Sequence, residues 1–208
     1  MALIASTVCG YLLGSIPFGL IAGRLFQGVD VRDYGSGKTG FTNTLRVLGL
    51  QRSLLVFGGD FGKGAAATLL PLLYTDDAWV RAFGGLAAVI GHIWPAFAGF
   101  KGGRGVLTGA GVLVAFDPRI IAVVLPVALA AFALSHTMSV VSLASALAAA
   151  VAFAAFAAFG VDPWADAVVG AIGVALVVAM HGENIKRLRR GEEPRIGQGG
   201  SRRLASGG

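Results

Sequence analysis

Gly105-Val106-Leu107-Thr108-Gly109-Ala110-Gly111-Val112-Leu113-Val114-Ala115-Phe116 is an uncharged apolar stretch of only 12 residues. A helix needs about 20 apolar residues to cross a bilayer's hydrocarbon core, so length alone reads this stretch as re-entrant or interfacial. Mostly uncharged runs near 3–25, 53–74, 78–98, 119–136, 140–159 and 163–181 are long enough to span. Whether the chain crosses six or seven times therefore turns on Gly105–Phe116.

Charge decides the parity. Six crossings would put the basic first loop and the basic C-terminal tail on opposite sides of the membrane, and seven put them together. With the N-terminus outside, Arg24, Arg32, Lys38, Arg46, Arg52, Lys101 and Arg104 fall inside, as do Lys186, Arg187, Arg189, Arg190, Arg195, Arg202 and Arg203. The outer loops keep only Arg81 and Arg119, beside Asp76, Asp77, Asp117, Asp162 and Asp166. The sequence thus predicts an all-α integral membrane protein of seven transmembrane helices, N-terminus outside and C-terminus cytoplasmic. The membrane domain is expected over 1–191 and a basic, disordered, lipid-facing tail over 192–208.

Composition agrees. The 208 residues are 55% apolar and 13% charged with 32 glycines, about half the charge and twice the glycine of a soluble domain. Such a chain is too apolar to be disordered, and its single cysteine excludes a disulfide framework. The net charge of +6 lies in short stretches between apolar runs, so no nucleic-acid partner is expected. No basic residue precedes the first run, which is expected to be a retained span and not a cleaved signal. Cys9 reads as a small buried apolar residue, and the alanines of 144–158 as close helix packing. No internal repeat is evident.

Three polar clusters fall at the predicted cytoplasmic face. The first is Gly35-Ser36-Gly37-Lys38-Thr39-Gly40-Phe41-Thr42-Asn43. It is not a Walker loop, because Arg32 stands where that pattern wants a glycine, and its GxGxxG follows a membrane helix instead of a strand. What remains is the physics under both motifs: spaced glycines let main-chain N–H groups face one concavity, with a helix N-terminus behind. Gly35, Ser36, Gly37, Lys38, Thr39, Gly40, Thr42 and Asn43 are therefore candidate phosphate-binding residues. Arg46, one and a half turns on, can return to the same anion bidentately. The alternatives are flexible turns for the glycines and a charge anchor for Arg46.

Phe100-Lys101-Gly102-Gly103-Arg104-Gly105 repeats the idea and predicts a second anion site, against a reading in which Lys101 and Arg104 snorkel to headgroups. The third cluster is His181-Gly182-Glu183-Asn184-Ile185-Lys186-Arg187-Leu188, in which His181 and Asn184 share a helical face; a solvated helix end is the alternative. Ser139 and Ser142 begin a helix on the same side. Asp60 and Lys63, i and i+3 inside a span, read as a structural pair holding Gly62 and Gly64 against neighbours, and His92 as an interhelical hydrogen-bond donor. No histidine has an aspartate five residues on, no serine has the nucleophile-elbow glycines, and no cluster has metal-ligand spacing, so no metal or cofactor is expected. Two anion sites without a nucleophile predict direct transfer between phosphorylated substrates.

These residues resemble one known family, the bacterial acyl-phosphate:glycerol-3-phosphate acyltransferases of the PlsY type. The likeness takes in Gly14-Ser15-Ile16-Pro17-Phe18-Gly19, Gly35-Ser36-Gly37 through Thr42-Asn43 and Leu45-Arg46, Asp60 with Lys63-Gly64, and Gly91-His92 with Pro95 and Phe97. It continues through Phe100-Lys101-Gly102-Gly103 to Gly105-Val106, Ser142-Leu143-Ala144-Ser145, and His181, Asn184-Ile185, Arg187-Leu188, Gly191 and Glu193. The resemblance implies a seven-helix enzyme of the bacterial cytoplasmic (inner) membrane, its site facing the cytoplasm. It implies acyl transfer from acyl phosphate, not acyl-CoA, to the 1-hydroxyl of glycerol 3-phosphate, giving lysophosphatidic acid and inorganic phosphate without an acyl-enzyme. By position, Gly35–Gly40 with Ser36 would hold acyl phosphate, Lys101, Gly102, Gly103, Arg104 and Gly105 would bind glycerol 3-phosphate, and Arg46, Ser142, His181 and Asn184 would orient both. Implied partners are these two substrates and membrane lipid; oligomeric state is not indicated. Lys38, Phe41 and Arg104 depart from the family pattern of asparagine, alanine and lysine. A small-anion transporter is the alternative, and it requires polar residues through the membrane depth; a purely structural subunit leaves the clusters unexplained.

Overall fold

The computed structural model describes residues 1–202. Those residues form ten α-helices, three short 3-10 turns and no strand. The first apolar run is broken: α1 (Ala2–Gly14) and α2 (Phe18–Gln27) meet at Ser15-Ile16-Pro17, because proline supplies no N–H to carry a helix through. The short amphipathic α3 (Phe41–Leu48) follows the first glycine cluster, and α4 (Leu50–Leu69), α5 (Ala78–Ile93) and α6 (Val106–Phe116) follow in turn. Then come α7 (Ile120–Ser135), α8 (Met138–Ala158), α9 (Trp164–Met180) and α10 (Gly182–Arg189).

By length and apolar composition three stretches are fit to cross a membrane, Ala2–Gln27, Ala78–Ala98 and Met138–Ala158, and the bent pair α9 and α10 makes a fourth. The helices α6 and α7 are shorter, and α4 carries Arg52, Asp60 and Lys63. Leu73, Leu134 and Phe159 are more than four-fifths exposed, as suits a surface solvated by lipid.

Close backbone approach holds the bundle, since lipid gives apolar side chains no reason to leave it. A Cβ on Gly10 would lie 2.2 Å from the Gly84 carbonyl oxygen, and one on Gly14 2.1 Å from that of Ala88, so α1 lies directly on α5. Likewise Gly64 abuts the Thr108 carbonyl and Gly111 that of Phe61, which seats the short α6 on α4. Cys9 does not join the buried stripe of Ser6, Gly10 and Gly14; it is exposed, because it sits beside that stripe on α1 and not on it. The core proper, around Phe153, Phe116, Ile120 and Ala149, joins α5 to α9.

The expected disordered tail is bonded to the body over 192–202. Ser201 accepts from the Gly35 N–H at 3.0 Å, Ile196 donates to the His136 carbonyl at 2.9 Å, and Tyr34 bridges to Arg202. Residues 203–208, with the inner cation Arg203, lie outside the described residues.

Candidate active site

The glycine-rich loop before α3 is shaped by one side chain. Asn43, buried, donates from Nδ2 to the carbonyls of Val31 (2.8 Å), Lys38 (2.9 Å) and Tyr34 (3.2 Å), and accepts from the Ser36 N–H at 2.9 Å. Gly35 and Gly37 take positive φ of 53° and 69° to make the turns. The loop does not present the expected cradle of main-chain N–H groups at Gly35–Gly37. Those N–H groups donate to Ser201, Asn43 and Tyr34, because the tight turns direct them inward. Ser36, Lys38, Gly40, Phe41, Thr42, Asn43 and Arg46 do line a cavity of about 260 Å³; Gly35, Gly37 and the buried Thr39 do not.

The second cluster divides. Gly102 and Gly103 donate to the carbonyls of Ile93 (3.2 Å) and His92 (3.1 Å), folding the loop back onto the end of α5. A Cβ on Gly103 would lie 2.1 Å from His92 Nε2, which is why glycine stands there. Their N–H groups are thus already used. Arg104 and Gly105 line the same cavity as Arg46, whereas Lys101 is exposed and lines a different one with Arg24, Arg32 and Asp30.

The third cluster and the start of α8 complete the cavity with His181, Asn184, Ser139 and Ser142. His181 sits at the bend between α9 and α10, and its Nδ1 lies 2.7 Å from the Val177 carbonyl. That contact places the ring proton on Nδ1 and leaves Nε2 as an acceptor.

Sequence reasoning had not placed Asp60, His92 or Glu193 in the site, yet all three line the cavity. Asp60 lies 2.9 Å from Lys63 Nζ and 3.3 Å from His92 Nδ1. An ionisable residue inside a span was the signal available for Asp60. Glu193 takes hydrogen bonds from Asn184 Nδ2 at 2.5 Å and Arg187 Nε at 2.7 Å. Burial raises its pKa, but those donors outweigh burial and hold the carboxyl below its usual value.

The electrostatics point to an anion. Arg46 is half-buried and Arg104 more deeply so; burial lowers both, Arg104 to about 10, and each remains charged at neutral pH. The Nε atoms of both, and Asn184 Oδ1, are buried without a hydrogen-bond partner among the described residues. The Glu193 carboxylate in the same cavity offsets part of their charge, but the unmet guanidinium donors still suit a further acceptor with several oxygens, such as a phosphate. This cavity shares Ser142, Ser145, Phe57, Val106, Leu107 and Ala110 with a second cavity of about 500 Å³ between α4, α5, α6, α7, α8 and α9. Its lining is apolar apart from Ser142 and Ser145.

The glycerol-3-phosphate acyltransferase family model matches residues 4–191. A glycerol-3-phosphate acyltransferase of Exiguobacterium sibiricum is 47% identical over 195 residues, 94% of this chain and 94% of its own length. One of Synechococcus sp. (strain CC9902) is 40% identical over 191 residues, 92% of this chain and 94% of its own. The fold is similar to crystal structures of PlsY (YgiH), an integral membrane glycerol 3-phosphate acyltransferase. Its glycerol 3-phosphate form has a TM-score of 0.86 at 37% identity, covering 95% of this chain and 96% of that one. Its lysophosphatidic acid form has a TM-score of 0.83 at 36% identity, covering 94% and 95%.

Proposed function

Since this chain belongs to the glycerol-3-phosphate acyltransferase family, we propose that it transfers a fatty acyl group from acyl phosphate to the 1-hydroxyl of glycerol 3-phosphate. The products are lysophosphatidic acid and inorganic phosphate. One observation carries the reading: the cavity holding Arg46 and Arg104 adjoins an apolar one and shares its wall, so a phosphate and an alkyl chain are accommodated side by side.

The proposed division of labour follows the geometry. Arg46 and Arg104 bind phosphate oxygens, with Ser36, Lys38 and Thr42 beside them. His181 Nε2 and Asn184 orient the glycerol hydroxyl, and Glu193 fixes Asn184 and Arg187. Ser142, whose hydroxyl donates to Met138 at 2.8 Å, stands where the two cavities join and positions the acyl carbonyl. The hydroxyl oxygen forms its bond to the acyl carbon as the bond from that carbon to the phosphate oxygen breaks, and the hydroxyl proton passes to the departing phosphate. Alignment supplies much of the acceleration, and the guanidinium groups stabilise charge on the leaving group. No nucleophile is required.

We further propose seven spans with the N-terminus outside, in a bacterial cytoplasmic membrane, and a site open to the cytoplasm. The basic segments gather at the end of the bundle that holds the site, and Asp76, Asp77, Asp117 and Asp162 lie on the loops at the other, which supports that orientation. An anion transporter would need a polar path along the cavity that Leu86, Val112 and Val169 line, and that lining is apolar.

The test is phosphate release by the purified protein, given glycerol 3-phosphate with palmitoyl phosphate or palmitoyl-CoA, with the lipid product identified. Lysophosphatidic acid and phosphate from the acyl phosphate alone is the expected result. Product from the CoA ester alone would overturn the donor, and none from either would overturn the activity.

A further inference from the structure

The apolar cavity has a buried floor. Leu86, Val112, Ile120 and Val169, all buried, line it on the side away from the site, while Ile121 and Leu125, about half exposed, line it towards lipid. Beyond them, in α5 and α9 and at the adjoining ends of α6 and α7, come Arg81, Asp166, Asp117 and Arg119, where Arg81 pairs with Asp166 and Arg119 with Asp117. An alkyl chain running on past the floor in that direction would meet these paired charges.

Along the wall leading to this floor, α9 offers two glycines. Gly173 lies about 12 Å along the helix axis from His181, and Gly170 about 16 Å. Both line the cavity. A Cβ on Gly173 would meet nothing within 4 Å, and one on Gly170 only Leu113 Cδ2, at 3.6 Å. Unlike Gly10, Gly64 or Gly111, these glycines are not demanded by helix contact. Glycine also destabilises a loosely packed helix interior relative to alanine. Their one evident effect is to keep space open in the cavity.

We propose that Gly173 and Gly170, with the floor at Ile120 and Val169, set the longest acyl chain that the enzyme accepts. The inference rests on the acyl transfer proposed above. A side chain at Gly173 occupies the distal part of the cavity and excludes the end of a long chain, while a shorter chain stops before it. Removing bulk from the floor at Val169 has the opposite effect.

The experiment compares wild type, Gly173→Leu and Val169→Ala, measuring kcat/KM for decanoyl phosphate, palmitoyl phosphate and eicosanoyl phosphate in the same bilayers. Gly173→Leu is expected to lower the palmitoyl-to-decanoyl ratio about tenfold or more, since one ill-fitting methylene in an apolar pocket is worth that much. Val169→Ala is expected to raise the eicosanoyl-to-palmitoyl ratio. General destabilisation would lower all chains together and leave both ratios at the wild-type value, which overturns the proposal. Should the leucine variant not fold, Gly173→Ala carries the same comparison with Val169→Ala. Wild-type turnover with unchanged ratios in every variant overturns the chain-length assignment alone. No lysophosphatidic acid from wild type with any chain overturns the acyltransferase reading and this assignment with it.

Discussion

Lys63 Nζ donates to the Ile16 carbonyl oxygen at 2.8 Å, at the break where Pro17 separates α1 from α2. At that break the Ile16 carbonyl accepts only from the nearby Phe18 N–H, at 3.2 Å, in place of a helical donor, and a lysine from α4 adds a charged one. The same ammonium neutralises Asp60 at 2.9 Å, and Asp60 in turn faces His92 in the cavity. The pair therefore ties the first span to the site, and does not hold Gly62, which has open space around it.

Lys63→Met leaves the Asp60 carboxylate buried without its cation. Removing one partner of a buried pair costs about 3–5 kcal/mol, so thermal unfolding in detergent should shift down markedly. Asp60→Asn with Lys63→Met together should recover part of that loss. A double variant no better than the single would show that the pairing does not matter.

Arg104→Ala and Arg46→Ala should each cut turnover by about a hundredfold or more, as loss of a charge-assisted contact to a developing anion does. Arg104→Lys should retain far more, since a point charge still reaches phosphate, though not bidentately. Lys101→Ala should cost much less than Arg104→Ala, because Lys101 lines another cavity. Steady-state rates with both substrates saturating make the comparison, and an equal loss at Lys101 would move the anion site.

Glu193 carries a pH dependence with a definite sign. Its folded pKa is depressed below 4.5, so the stability it contributes is fully present above that value and is lost as pH falls through the folded pKa. Thermal stability of wild type and Glu193→Gln should thus differ at neutral pH and converge in acid below pH 4.5. A gap that persists in acid would assign the effect to packing.

Asn43→Asp should be nearly as harmful as Asn43→Ala despite its shape, because a carboxylate cannot donate to the carbonyls of Val31 and Lys38. Leaving such groups unmet costs about 1–3 kcal/mol each. The loop then loosens, and the expected signature is a raised KM for the phosphorylated substrates with proteolysis appearing at 35–40. A wild-type KM in Asn43→Asp would remove Asn43 from loop positioning.

The membrane class, the helical runs and the three polar clusters were legible in the sequence, because apolar run length and the placement of cations are local properties that lipid reads directly. Gly35–Asn43, Arg104, His181 and Asn184 could be singled out because glycine spacing and cations among apolar runs are rare. Their division could not. Lys101 and Arg104 are three residues apart in one motif, and only the fold of that loop over His92 sends them into different cavities. Nor does the sequence say that Gly35, Ser36 and Gly37 spend their N–H groups on Ser201, Asn43 and Tyr34, or that Glu193 returns from the tail to hold Asn184. These are contacts between groups far apart along the chain or turned by a single dihedral angle. Their partners are chosen by which backbones approach closely enough, and that is decided when Gly10 meets Gly84 and Gly64 meets Thr108.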